Sequence, residues 1–225
     1  MFIFNDISSK DMNLIVKELP PISSFDEKIN SIKIPGMDGA LLQSDGFEML
    51  DKKVLVHYIG NKPHVLLKWL RGAGKVIFEN NKDVYYKAYI NNKIPLEEVL
   101  RNQLYYFPII FSCQPFGYLA EGDNTITLNS PITLYNSDNT HESYPTITIK
   151  GTGATKFTIN NRSFNITNID GEITIISEPR LKLVLNNKGQ YMEGEFPYLD
   201  TEENYISWTG NVTSVEIVPY WRTLA

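Results

Sequence analysis

The second half of the chain alternates apolar and polar residues in short runs. TITL (125–128), TITIK (146–150), FTI (157–159), FNIT (164–167), LKLVL (181–185) and VEIVPY (215–220) all follow this pattern. Period two puts one face of a strand in a core and the other in water. Turn-forming stretches separate the runs: EGDN (121–124), NSDN (136–139), KGTG (150–153), NN (160–161), IDG (169–171) and NNKG (186–189). Asn-Asn and Asp-Gly tolerate the positive φ of tight hairpins. Short strands at this spacing predict an antiparallel sandwich or barrel.

The first half is mixed. IKIPGMDGALL (32–42) reads as strand, turn, strand, with Gly36 and Gly39 flanking Asp38. KKVLVHYI (52–59) is a further strand, and NKPHVLLKWLRG (61–72) is the helix. Asn61 is placed to cap it, Pro63 sits in its first turn and Gly72 ends it in a left-handed conformation. Val65, Leu66, Trp69 and Leu70 share its core-facing stripe. KVIFEN (75–80) and DVYYKAYI (83–90) predict a hairpin, and LYYFPIIFSCQPFG (104–117) a long strand. The fold class is therefore mainly β: an α+β N-terminal domain with one helix and a hairpin, then a β-sandwich. Helical periodicity stops near Tyr118, and the domain boundary is expected within 118–140, drawn at 1–135 and 136–225.

With 225 residues, the chain is long enough for one or two domains and for a core that needs no disulfide or metal. A single cysteine excludes an internal disulfide and gives no sign of an oxidising compartment. MFIFNDISSKDMN lacks the pattern of a signal peptide, and no apolar run approaches the roughly 20 residues of a membrane span. Synthesis in a cytoplasm and no membrane partner are expected. The net charge of −5 comes without a basic cluster, which argues against tight binding to nucleic-acid phosphates. An acidic balance suits a surface that DNA passes without sticking.

The lone Cys113 raises the question of catalysis. A thiol nucleophile needs a base and an electropositive, partly open setting. IIFSCQPF is apolar instead, and alternation puts Phe111 and Cys113 on one face and Ser112 on the other. Cys113 therefore reads as a buried small hydrophobe. His57, His64 and His141 form no metal-ligand pattern. RGAGKV (71–76) has Trp69 and Val76 where a phosphate loop needs Gly and Ser or Thr, and with KGTGATK (150–156) it reads as a turn. Glu193 and Glu195 lie at strand spacing, while Glu97–Glu98 and Glu202–Glu203 are adjacent in turns or short helical segments. All read as solvated faces rather than a glycosidase pair. The Asn-x-Ser/Thr triplets at Asn161, Asn165 and Asn211 matter only in a secreted eukaryotic protein. Tyr198, Tyr205, Trp208, Tyr220 and Trp221 crowd the C-terminal end, either as sandwich core or as sugar-stacking rings, and core is the favoured reading. No catalytic, cofactor-binding or metal residue is expected, and no cofactor.

Four stretches, in order, resemble the distal tail protein family of long-tailed phages. They are IKIPGMDGALL, LKWLRGAGKVIFENNKDVYYKAYI, FPIIFSCQPFGY with its Phe-x-Cys-x-Pro-Phe pattern at Phe111, Cys113, Pro115 and Phe116, and ENYISWTGNVTSVEIVPYWR. The resemblance implies a virion structural protein of the phage tail tip, made in the host bacterial cytoplasm and not an enzyme. It implies a homo-hexamer, a ring closed by the N-terminal domain between the tail tube protein and the tip or tail-associated protein. DNA passes only through the channel. The C-terminal sandwich is expected to be galectin-like or carbohydrate-module-like and to dock receptor-binding or fibre proteins. The exposed edge of the hairpin FENNKDVYYKAY (78–89) is the expected ring contact. The alternative is a carbohydrate-binding module that attaches to a bacterial cell-wall polysaccharide.

Overall fold

The computed structural model describes every residue except Met37, Asn91, Asn102 and Ala225. The chain forms two compact units, Met1–Gly117 with Leu224, and Tyr118–Thr223. No helix among the described residues is long and apolar enough to cross a membrane.

The first unit is built on one wide antiparallel sheet. Its strands are β1 (Phe2–Phe4), β2 (Ile7–Ser8), β3 (Leu14–Glu18), β6 (Leu50–Ile59), β7 (Gly72–Phe78), β8 (Asn81–Ile90), β9 (Glu97–Leu100) and β10 (Leu104–Leu119), while β4 (Glu27–Ile32) and β5 (Leu41–Phe47) pair only with each other. The order across the sheet is β2-β1-β7-β8-β10-β6-β3, with β9 alongside β10. Lys52, Val54, Val56 and Tyr58 of β6 face the core together with Tyr105, Phe107, Ile109, Phe111 and Cys113 of β10. Phe111 sits among the rings of Phe2, Phe4 and Phe78 at centroid distances of 5.4, 5.6 and 5.7 Å.

Helix α1 (Pro63–Trp69) covers that face through Leu66 and Leu70. Trp69 stacks on Phe2 at 5.9 Å and donates its indole N–H to the Phe4 carbonyl at 3.2 Å. Pro63 starts the helix as expected, but Lys62 occupies the cap position without a side-chain bond, so Asn61 does not cap it. Val65 is 47% exposed, so the core-facing stripe is Leu66, Trp69 and Leu70. Gly72 is left-handed (φ 87°) yet already belongs to β7, so RGAGKV is a strand start rather than a turn. Glu97 and Glu98 lie in β9, since pairing with β10 holds them extended.

The second unit is a sandwich of two five-stranded sheets. One runs β11 (Ile126–Leu128), β20 (Asn211–Val218), β13 (Thr146–Thr152), β16 (Gly171–Ile176), β17 (Leu183–Val184). The other runs β12 (Ile132–Asn136), β19 (Glu202–Trp208), β14 (Thr155–Ile159), β15 (Arg162–Ile166), β18 (Met192–Glu193). Ile147, Ile149, Ile173, Ile175, Val215 and Ile217 face inward from the first, Phe157, Ile159, Phe164, Ile166 and Ile206 from the second. Residues 118–135 lie in this unit because β11 and β12 pair with β20 and β19.

LKLVL departs from its alternation. Leu181, Leu183 and Leu185 are 61%, 47% and 36% exposed, and Val184 is the buried residue. Lys182 takes a positive φ of 40° just before β17, and the pairing of Val184 with Ile175 turns Val184 inward. KGTGATK is split between β13 and β14, with the turn at Gly153. Glu202 and Glu203 open β19.

Candidate functional site

Cys113 is fully buried on the core face of β10. Its Sγ lies 3.5 Å from the Phe111 carbonyl. Burial pushes the thiol up to about 12, against the weaker opposing pull of Lys52. A thiol held protonated and dry is a poor nucleophile. His57 sits on the other face of the sheet, between the core residues Val56 and Tyr58, and packs edge-on against Tyr106 at 5.2 Å. His64 is exposed on α1, and His141 belongs to the second unit. Ser112 points away from the core and donates to Asp51 at 2.6 Å.

Lys52, invisible as special in sequence, is 3% exposed. Its ammonium lies 4.6 Å from the Tyr86 ring centroid and 5.9 Å from that of Phe25. Desolvation lowers its pKa. The cleft beside it, about 220 Å³, is lined by Glu18, Pro20, Pro21, Ser23, Asp51 and Lys53. Among the described residues, no group of three or more His, Cys, Asp or Glu side chains converges as a metal site.

The polar cluster of the second unit is structural in its bonding. Asp200 accepts from Arg162 at 2.8 Å and from Asn160 at 2.7 Å. The Arg162 guanidinium lies over the Tyr198 ring at 3.7 Å. Buried Asn139 accepts from the Arg222 backbone N–H at 2.9 Å and donates to the Asp200 carbonyl at 2.9 Å. The two Asn139 bonds satisfy backbone groups where loops meet, the usual use of a buried polar side chain. Glu193 and Glu195 are both exposed, separated by Gly194 at φ 114°, and do not form a pair across a cleft.

The distinctive surfaces are in the first unit. Every residue of β4 is exposed, and every residue of β5 except half-buried Phe47. Ile29, Ile32, Ile34, Leu41 and Leu42 are 43–66% exposed. Ile32 lies directly opposite Leu41, and Ser31 opposite Leu42, so both faces of this hairpin carry apolar residues. Its root is fixed. Phe25 is buried against Tyr86, Phe47 meets Phe116 edge-on at 5.4 Å, and Glu48 N–H bonds the Asp26 carbonyl at 3.0 Å. Gly36 and Gly39 are left-handed (φ 82° and 87°) as the turn requires, while Met37 lies outside the described residues.

The large sheet also has a second apolar face. Ile15 and Ile59 are about half exposed, and Ile3, Leu55, Ile77, Tyr106, Pro108 and Ile110 are half-buried. A one-sided antiparallel sheet carries polar residues there. The hairpin at 78–89 is not the exposed edge expected from sequence. β7 pairs with β1 on its outer side, Val84, Tyr85, Tyr86 and Ala88 are buried, and the hairpin is interior to the sheet.

Of the C-terminal aromatics, Trp221 is buried and Trp208 half-buried on Phe157, stacked at 6.1 Å. Tyr205 is 51% exposed, and so, at 68%, is Tyr135, which sequence reasoning missed. Tyr205 pairs with Thr133 and Tyr135 with Glu203, so the two tyrosines are diagonal neighbours on one outer face.

No family profile and no curated protein sequence matches the chain. Solved structures do. The Dit protein of phage SPP1, described as a paradigm of the hub adsorption apparatus of phages infecting Gram-positive bacteria, superposes with a TM-score of 0.72 at 13% identity. The match covers 96% of this chain and 97% of that one. A chain of the phage P2 baseplate in its calcium-activated conformation gives 0.52 at 9% identity, covering 92% and 90%. Its strontium form gives 0.52 at 9%, covering 96% and 92%. The chain therefore has the fold of these hub and baseplate proteins.

Proposed function

We propose that the chain is a structural component of a phage tail tip. Its copies close a hexameric ring that joins the tail tube to the baseplate or tip proteins. The first unit makes the ring, the second docks receptor-binding or fibre proteins, and DNA only passes through the channel. No catalysis and no cofactor enter this role.

The observation that carries the reading is the unpartnered hairpin β4–β5. Burying one such Ile or Leu contributes roughly 1.5–3 kcal/mol before the cost of association. A hairpin held at its root and apolar on both faces suits a neighbour's surface. The second apolar face of the sheet suits the complementary side of the same contact. Two different patches meeting head to tail close a ring when the rotation closes. The shared fold of the SPP1 hub protein, across nearly the whole of both chains, supports the same role.

Light scattering and negative-stain microscopy of the purified chain test it. A ring-sized particle with a central hole is expected. The double change Ile29→Lys, Leu42→Lys should release folded protomers with an unchanged far-UV spectrum. A wild-type chain that stays monomeric at high concentration sinks the ring.

A second reading, attachment to a cell-wall polysaccharide, has the exposed pair Tyr135 and Tyr205 in its favour. Trp221 is buried and is not its probe. Calorimetry against wall polysaccharide decides: binding abolished by Tyr205→Ala supports the module, and no heat supports the hub alone.

A further inference from the structure

Among its crossings between the two sheets of the sandwich, the chain ties two to each other. It passes from β15 to β16 through residues 167–170, and back from β17 to β18 through 185–191. Both crossings depend on left-handed residues. Asp170 and Gly171 have φ of 49° and 85°, and Asn186 and Asn187 have φ of 58° and 56°. Lys188 follows the second pair. Its ammonium donates to three backbone carbonyls, two in the first crossing and one at the start of β16: Ile169 at 3.0 Å, Asp170 at 2.8 Å and Glu172 at 2.8 Å.

Three converging carbonyls match the three donors of a primary ammonium. The side chain is 15% exposed, so these charge-assisted bonds are largely shielded from water. The carboxylate of Asp170 stays outside the set, its Oδ2 at 3.8 Å and its side chain 73% exposed. The carbonyl distances exceed the roughly 2.3–2.6 Å of calcium–oxygen bonds, and no carboxylate closes the shell.

We infer that the carbonyls of Ile169, Asp170 and Glu172 form a site for a primary ammonium ion, whose resident ligand is the side chain of Lys188. The site clamps the two sheet crossings together. Tyr191 N–H bonds the Lys188 carbonyl at 2.9 Å, and Thr167 N–H bonds the Tyr191 carbonyl at 2.8 Å. The ammonium therefore holds a closed loop of contacts that sets the register of β18 on β15. This inference does not depend on the tail-tip reading.

The test is chemical rescue in the full chain. Lys188→Met should lower Tm by about 5 °C and speed hydrogen exchange at the Thr167 and Tyr191 amides. Lys188→Ala should lose as much, and millimolar n-propylammonium should restore at least half. Tetramethylammonium at equal ionic strength, which has no N–H, should restore nothing. Asp170→Asn should melt within about 1 °C of the wild type, since its carboxylate is 73% exposed and 3.8 Å from the ammonium. If Lys188→Ala fails to fold, its soluble yield on refolding with propylammonium against tetramethylammonium reads the same effect. Wild-type melting of Lys188→Met overturns the inference. So does equal rescue by the two cations, rescue by calcium in place of propylammonium, or reproduction of the whole loss by Asp170→Asn.

Discussion

The two units use apolar residues differently. In the sandwich, strand alternation is resolved inside the chain: Ile147, Ile149, Ile173 and Ile175 face Phe157, Ile159 and Phe164, and outward positions such as Thr148, Thr174, Lys150 and Glu216 are polar. In the first unit the accounting stays open. Its sheet carries apolar residues on both faces, with His57, Asp51 and Ser112 among them on the outer one, and β4–β5 buries almost nothing of itself. That exposed apolar surface is what the proposed ring contact would cover. The difference teaches that strand alternation closes a core within the second unit, while the first leaves a whole hairpin of apolar residues outside its own.

The sharpest way to break this comparison is to remove the aromatic knot. Phe111→Ala should cost about 3–5 kcal/mol. Calorimetry should show the first unit's transition lost or strongly lowered, and the sandwich's retained. A single transition that falls as a whole would mean the units are not separate cores.

Backbone conformation separates the units next. In the sandwich, Gly210 has φ 85°, and a Cβ there would lie 2.3 Å from the Ala154 carbonyl oxygen. Gly36 and Gly39 have positive φ but open space around them. Urea melts should show Gly210→Ala losing clearly more than the roughly 1 kcal/mol expected for Gly36→Ala or Gly39→Ala. Equal losses would show that the loop around Ala154 yields freely.

Alkaline titration probes the core of the first unit. The Cys113 thiol is raised from 9.0 to about 12, so between those values the unfolded chain has lost a proton that the folded one keeps. Stability is full below pH 9 and falls as pH rises toward 12. Lys52 is lowered, and its contribution runs the other way, with stability rising as pH approaches 10.5. Cys113→Ala should lessen the fall, the rest of which belongs to Tyr86, whose hydroxyl is also raised by burial, cost about 1 kcal/mol near neutrality, and leave assembly intact. Denaturant melts at pH 8 and pH 10 read both effects, and rapid alkylation of the native thiol would contradict its burial.

The smallest effect is expected at the exposed leucines of the sandwich. Leu181→Lys with Leu183→Lys should leave particle size by light scattering unchanged, in contrast to the paired change on β4–β5. Disassembly by the leucine variant would move the ring contact to the second unit.

Local chemistry carried most of the fold into view. Alternation and turn residues marked β11, β13, β14, β15, β17 and β20 of the sandwich, because each buries one face and wets the other, while β12, β16, β18 and β19 were not marked by it. The same logic put Cys113 with Phe111 on the core face, and Pro63 at the start of the helix. Gly36 and Gly39 were legible because only a few residue types adopt positive φ without strain.

What sequence alone left open depended on which segments become neighbours in space. Period two says that Tyr205 and Ile206 face opposite ways, not which face a second sheet covers. The pairing of β7 with β1, remote in sequence, turned an apparent edge hairpin into the middle of a sheet. The pairing of Val184 with Ile175 reversed the expected faces of LKLVL. Lys52 became a core residue because Phe25 and Tyr86, far apart in sequence, close over it. Lys188 became a clamp only when two crossings met. Residue type and spacing set what each strand is able to bury, and the order of strands in space decides what it does bury.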